Sequence, residues 1–172
     1  MLTDRLVIRT LVRSDAPAVM ATIDQVVEDT NGWLPQTKHD LVGAIEAGWA
    51  HGHRAICIRS SGEVIGVVQV YSLAQIQAYR LAQMAVDQCQ IGFWIGAPHR
   101  QQGYATEAVA AFVDHLHGLG MRSVHASTAT TNEPVRLLLA RVGFEPAPPR
   151  QHTLPNGEVL DALDFRHVAI EG

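Results

Sequence analysis

Between Ile91 and Ala108 the chain reads Ile-Gly-Phe-Trp-Ile-Gly-Ala-Pro-His-Arg-Gln-Gln-Gly-Tyr-Ala-Thr-Glu-Ala, the order of a strand, an anion loop and a helix. The apolar run Ile91 to Ile95 has the pattern of a buried strand, Ala97-Pro98 breaks it, and Arg100 to Ala105 lead directly into a helix. Gly103 lets the backbone turn without a clashing Cβ, and small Ala105 admits a ligand where the first unpaired helical N–H groups begin. Those amides sit at the end of a helix that carries roughly half a positive charge, so a phosphate or pyrophosphate suits the turn, with Thr106 adding a hydroxyl and Arg100 a cation. Taken alone, the same residues are also compatible with a plain glycine-containing strand-to-helix turn.

The remaining sequence narrows the setting. A chain of 172 residues with 47% hydrophobic side chains is long enough for one domain, residues 1–172, with a sizeable buried core. Its formal net charge of −4 argues against a broad nucleic-acid footprint. Cys57 and Cys89 lie apart in apolar, strand-like surroundings, which points to buried free thiols in a reducing compartment and not to a disulfide or a metal site. No apolar run approaches the ~20 residues of a membrane span, and the first residues lack a signal-like pattern, so we expect a cytoplasmic protein without membrane or metal.

Read in order, Leu6 and Ile8 alternate with Arg5 and Arg9 as a first strand, and Asp15 with Pro17 opens a helix that places Val19, Ile23, Val26 and Val27 on one face. Asn31-Gly32 stops it. A second helix follows, capped by Thr37 and striped by Leu41, Ile45 and Trp49. Residues 55–59 and 64–71 form a hairpin, 72–88 are ambiguous between a helical turn and an excursion at the substrate mouth, and residues 89–96 form strand four. The next helix buries Ala105, Ala108, Val109, Phe112, Val113 and Leu116; residues 123–130 make strand five. Asn132 caps a further helix with Pro134 in its first turn and Gly143 past its end, and Asn156-Gly157 turns the chain into a last strand. The expected order is β α α β β β α β α β β, an α/β (α+β) domain with a mixed, mostly antiparallel sheet of six to seven strands and helices on both faces. Edge strands in the C-terminal hairpin leave a homodimer open.

Arg100-Gln101-Gln102-Gly103-Tyr104-Ala105 resembles the acyl-coenzyme A pyrophosphate loop of the GNAT acetyltransferase superfamily, [Gln/Arg]-x-x-Gly-x-[Gly/Ala]. It lacks the Lys of a P-loop and the three-glycine spacing of a dinucleotide fingerprint. Thr3 to Arg9 is similar to the opening strand of the ribosomal-protein N-terminal (alanine/serine) acetyltransferase branch. Ile91-Gly92-Phe93-Trp94 resembles its Ile-Gly-Tyr-Trp strand, Asn132 through Phe144 its Asn-x-x-Ser…Leu-Gly-Phe helix, and Asn156-Gly157…Asp161…Phe165 its final hairpin.

The resemblance implies a GNAT-like fold with strands four and five splayed around the thioester arm of acetyl-CoA. Trp94 and Ile95 then lie beside the pantetheine, and Arg100, Gln101, Gln102, Gly103, Tyr104, Ala105 and Thr106 on the pyrophosphate. Asn132 binds coenzyme A or a water, or only caps its helix. For the base it offers His125 on strand five, whose reference pKa of about 6.5 suits proton pickup near neutrality, and Asp161 in the last hairpin. Trp33 and Gln90 are candidates for substrate positioning. Where the family carries proton-donating Ser or Tyr, this chain has Val135 and Leu139.

The reaction implied is transfer of an acetyl group from acetyl-CoA to a primary amine by direct attack on the thioester. The acceptor is expected to be a protein or peptide N-terminal α-amine. A small amine such as an antibiotic, polyamine or amino acid is the alternative, and a coenzyme A binding module with little catalysis is a third reading. An α-amine of pKa about 7.7 to 8.0 is roughly a tenth neutral at pH 7, lysine at about 10.4 less than roughly a thousandth, so a site with a weak base favours the former. At a hundredfold excess over its dissociation constant, acetyl-CoA is expected to stabilise the protein by about 2.7 kcal/mol and raise its melting temperature by several degrees. Ala105→Glu, which sets a carboxylate at the phosphate position, is expected to abolish that shift in a thermal melt.

Overall fold

The computed structural model describes residues 1–30, 38–46, 52–71, 87–153 and 159–169. Its strands are β1 (Leu6–Thr10), β2 (His53–Ile58), β3 (Val64–Tyr71), β4 (Gln88–Ile95), β5 (Ser123–Ala129), β6 (Glu145–Pro146), β7 (Arg150–Thr153) and β8 (Val159–Val168). Along the sheet the order is β1-β2-β3-β4-β5-β8-β6, with β7 also paired to β8. β4 and β5 run parallel, while the β1–β2, β2–β3, β5–β8, β6–β8 and β7–β8 pairs are antiparallel. The mixed, mostly antiparallel sheet is as expected; it reaches eight strands because the Pro-rich segment contributes two short ones. Pro146, which has no N–H to donate, lies in the two-residue β6 at the end of the strand order.

The described helices are α1 (Ala16–Ala21), α2 (Gln25–Thr30), α3 (Lys38–Glu46), α4 (Tyr104–Gly118) and α5 (Glu133–Val142). None is long and apolar enough to cross a membrane. Two compact units emerge, Met1–Gln69 with Phe93–Phe112, and Val70–Gly92 with Val113–Gly172.

In the first unit, Leu11, Ala16, Val19, Val27 and Leu41 pack with Ala55, Cys57, Val67 and Trp94 in one core cluster. The single helix expected after Asp15 is two helices, and Val26 is exposed. Thr22 is the reason. Its hydroxyl donates to the Val19 carbonyl at 2.6 Å and accepts the Trp94 indole N–H at 2.9 Å, competing with continued helical bonding; Asp24 then caps α2 by accepting the Val27 N–H at 3.1 Å. Asp15 caps no helix with its side chain but accepts the Val12 N–H and two hydrogen bonds from Arg9. Burial pushes the Asp15 carboxyl up, and the bonds from Arg9 and Val12 outweigh it, leaving it below the usual range. At Gly66 a Cβ would stand 2.2 Å from the Trp94 carbonyl oxygen, so glycine is what allows β3 to approach β4 there.

In the second unit, Val124, Ala126, Leu139, Phe144, Ala162 and Phe165 are buried. Asn132 opens α5, Pro134 follows in its first turn, and Gly143 closes it at φ 98°, where the Phe144 N–H returns to the Leu139 carbonyl at 2.9 Å. Tyr71 lies against Gly92, where a Cβ would meet its hydroxyl at 2.6 Å. β7 and β8 flank the expected Asn156-Gly157 turn, pairing Thr153 with Val159; the turn itself, like Asn31-Gly32, Trp33, Thr37, Trp49 and residues 72–86, lies outside the described residues.

Both cysteines are free and buried, and burial pushes the Cys89 thiol up to about 11. His53 is buried opposite Gln69, and burial lowers its pKa to about 4. Two measurements probe this framework. Thr22→Val, which strands the buried indole N–H, is expected to cost about 1 to 3 kcal/mol in denaturant unfolding. Because His53 binds its proton more weakly folded than unfolded, its contribution is complete above about 6.5 and is lost as pH falls toward about 4. His53→Gln, which removes the titrating imidazole and keeps a polar side chain there, is expected to flatten the loss of stability across that interval.

Candidate active site

The β4-to-α4 turn, within the first unit, is where the anion loop is expected. A single 3-10 turn, Ala97–His99, follows β4; Gln101 then adopts φ 60° and Gly103 φ 80°. Two left-handed residues on either side of Gln102 reverse the chain sharply enough to start α4 at Tyr104. The N–H groups of Tyr104, Ala105 and Thr106 take no acceptor among the described residues, and helix bonding begins with the Glu107 N–H on the Gly103 carbonyl at 3.1 Å. A Cβ on Gly103 would lie 3.3 Å from an Arg5 nitrogen. Adjacent amides, a 15-residue helix behind them and partly exposed small residues in its first turn form a donor set suited to a diphosphate.

Both cations beside the loop are engaged by the protein. Arg100 donates from Nε to the Ile95 carbonyl at 2.8 Å and from its guanidinium to Asp24 at 2.7 Å, so it braces the turn against α2. The bond from Arg100 holds the Asp24 carboxyl below its usual range. Arg5 donates through Nε to Glu107 Oε2 at 2.7 Å and through its guanidinium to the Gln102 carbonyl at 2.9 Å, and stacks 4.5 Å from the centre of the Tyr104 ring. Gln102 donates its side-chain amide to the Pro98 carbonyl at 3.1 Å. Trp94 and Ile95 are buried, the indole held by Thr22. The motif reading missed Arg5, Thr22, Asp24 and Glu107: an acid in the first turn of α4 reads as an ordinary partner of the helix dipole, and its cation is 102 positions away.

In the second unit the parallel β4–β5 ladder has three rungs, Gln88 with Ser123, Cys89 with Val124, and Gln90 with His125. The candidates Gln90 and His125 therefore stand side by side. His125 Nε2 lies 3.0 Å from the Ser123 hydroxyl, and burial, with the Arg166 charge added, lowers its pKa below 6.5. Asp161 is exposed near the Gln151 side chain, and its main-chain carbonyl accepts the Thr130 N–H. His125 pairs with Arg166, five positions along β8 from Asp161, a span of about 17 Å at the usual strand rise, so the two are not a catalytic pair. Asn132 accepts the Val135 N–H at 3.4 Å as a helix cap. Leu139 is fully buried, so that position holds core and no proton donor.

Comparison with known proteins identifies the family. The family model described as acetyltransferase (GNAT) domain matches residues 5–145. The uncharacterized N-acetyltransferase YoaA of Bacillus subtilis (strain 168) is 27% identical, the match covering 92% of this chain and 90% of that protein. Among solved structures, the ribosomal-protein-S5-alanine acetyltransferase from Vibrio fischeri superposes with a TM-score of 0.73 at 14% identity, covering 98% of this chain and 95% of the other. Mycobacterium smegmatis RimJ in complex with CoA-disulfide gives 0.75 at 21% identity, covering 95% and 82%. With the family model spanning most of its length, the chain belongs to the GNAT acetyltransferase family and is an acetyl-CoA-dependent N-acetyltransferase.

Proposed function

We propose that this enzyme acetylates the α-amino group of a protein or peptide N-terminus in the cytoplasm. Residues 100 to 106 hold the diphosphate of acetyl-CoA through the amides that open α4, and Trp94 and Ile95 flank the pantetheine arm. Asn132 adds a contact to coenzyme A or to a water, while Gln90 and Trp33 position the acceptor. The free amine attacks the thioester carbonyl, the N–C bond forms, and the C–S bond breaks. One amine proton leaves through His125, with Asp161 as the alternative acceptor through water, and the departing thiolate gains a proton from solvent, since Val135 and Leu139 carry none to give.

The observation that carries the choice of acceptor is the burial of His125 beside Ser123. That burial lowers its pKa and makes it a weaker base than free histidine. Such a base serves an amine that is already partly neutral. An α-amine of pKa about 7.7 to 8.0 meets that condition, and a lysine side chain at about 10.4 does not. The solved neighbour that acetylates an alanine of ribosomal protein S5, as its name states, supports the same class of acceptor.

Matched peptides test this, one set with free N-terminal Ala or Ser and no lysine, the other N-terminally blocked with one lysine. At pH 7 we expect kcat/KM at least about tenfold higher for the free N-termini, with the gap narrowing toward pH 9 as lysine deprotonates. Faster turnover of the lysine peptides, or of a polyamine or aminoglycoside, would overturn the assignment.

A further inference from the structure

Arg5 stands immediately before β1, and its main chain is held by the β1–β2 pair: its carbonyl accepts the Arg59 N–H at 2.8 Å, one rung past Leu6 opposite Ile58. From that fixed point three groups converge on Glu107 in the first turn of α4. The Thr3 hydroxyl and the Arg5 N–H donate to Oε1 at 2.5 and 2.9 Å, and the Arg5 Nε donates to Oε2 at 2.7 Å. The guanidinium also grips the Gln102 carbonyl and covers the Tyr104 ring. Gln102 is the residue between the two left-handed positions, and Gln101 is a non-glycine at φ 60°, a conformation that persists only where its surroundings impose it.

We propose that Arg5 is a positioning residue of the donor site: it holds the Gln101–Tyr104 turn in its anion-binding shape before acetyl-CoA arrives and neutralises Glu107 beside the diphosphate. This rests on the reading that the loop takes that diphosphate. A turn already shaped by the protein spares the ligand the cost of ordering it, so the clamp acts on affinity for the nucleotide end of the donor and leaves the acetyl-transfer step alone. The planar fork of arginine spans a carboxylate and a carbonyl together, which an ammonium group does not.

The test compares wild type, Arg5→Ala, Arg5→Lys and Glu107→Gln by calorimetric binding of coenzyme A, steady-state kinetics with acetyl-CoA, and turnover of S-acetylpantetheine, which has no diphosphate. For Arg5→Ala we expect Kd for coenzyme A and KM for acetyl-CoA to rise about tenfold or more, with kcat and S-acetylpantetheine turnover unchanged. Arg5→Lys is expected to behave like Arg5→Ala, and Glu107→Gln to shift in the same direction by less. Restored affinity in Arg5→Lys would show that charge alone matters, and equal loss with S-acetylpantetheine would show general damage; either overturns the clamp. Should Arg5→Ala fail to fold, unchanged coenzyme A affinity in both Arg5→Lys and Glu107→Gln overturns it as well. Failure of the wild type to bind coenzyme A would remove the diphosphate reading itself, and the clamp with it.

Discussion

The unpaired amides that open α4 are what the proposed donor site depends on. A helix end leaves its first N–H groups without partners, and here the reversal through Gln101 and Gly103 presents the amides of Tyr104, Ala105 and Thr106 together, with Gly103 and Ala105 as the small residues among them. Longer side chains at Ala105 or a relaxed backbone at Gly103 would close that space. The strand before the turn has a complementary task. Trp94 and Ile95 are buried, and the Ile95 carbonyl anchors Arg100, so the loop leaves β4 from a rigid base.

Charge around the turn is balanced by pairing. Arg100 with Asp24 and Arg5 with Glu107 each set a cation against a carboxylate, in partly exposed positions where an ion pair contributes at most about 1 kcal/mol to stability. Their value lies in geometry. Each guanidinium also holds a main-chain carbonyl, Ile95 for one and Gln102 for the other, and so fixes one end of the loop each. The chemistry on the other unit is sparser. Burial lowers the His125 pKa, Asp161 is remote from it along β8, and Leu139 belongs to the core.

Local pattern made much of the fold legible. Alternation marked β1, and apolar or β-rich runs bounded by turn residues marked the β2–β3 hairpin and β4, because strand patterning and turn chemistry are local. Asn132, Pro134 and Gly143 bounded α5 through capping, which is decided within a few residues. The helix after Asp15 was misread as continuous for the opposite reason: Thr22 breaks it by turning its hydroxyl to Trp94, 72 positions on, and no window of sequence contains both partners.

The sequence by itself determined where an anion can bind, since Gly103, small Ala105 and the start of α4 are neighbours along the chain and their backbone physics is local. Its motifs also determined the family. Only the tertiary structure decided what the charged residues do. Arg100 was legible as a cation for phosphate, yet Asp24 and the Ile95 carbonyl occupy it; Arg5 was legible only as the polar half of a strand pattern, yet it grips the loop from 97 positions away. A backbone turn is set by the residues that form it, whereas a long, flexible cation takes its role from whichever carboxylate and carbonyl the folded chain brings within reach.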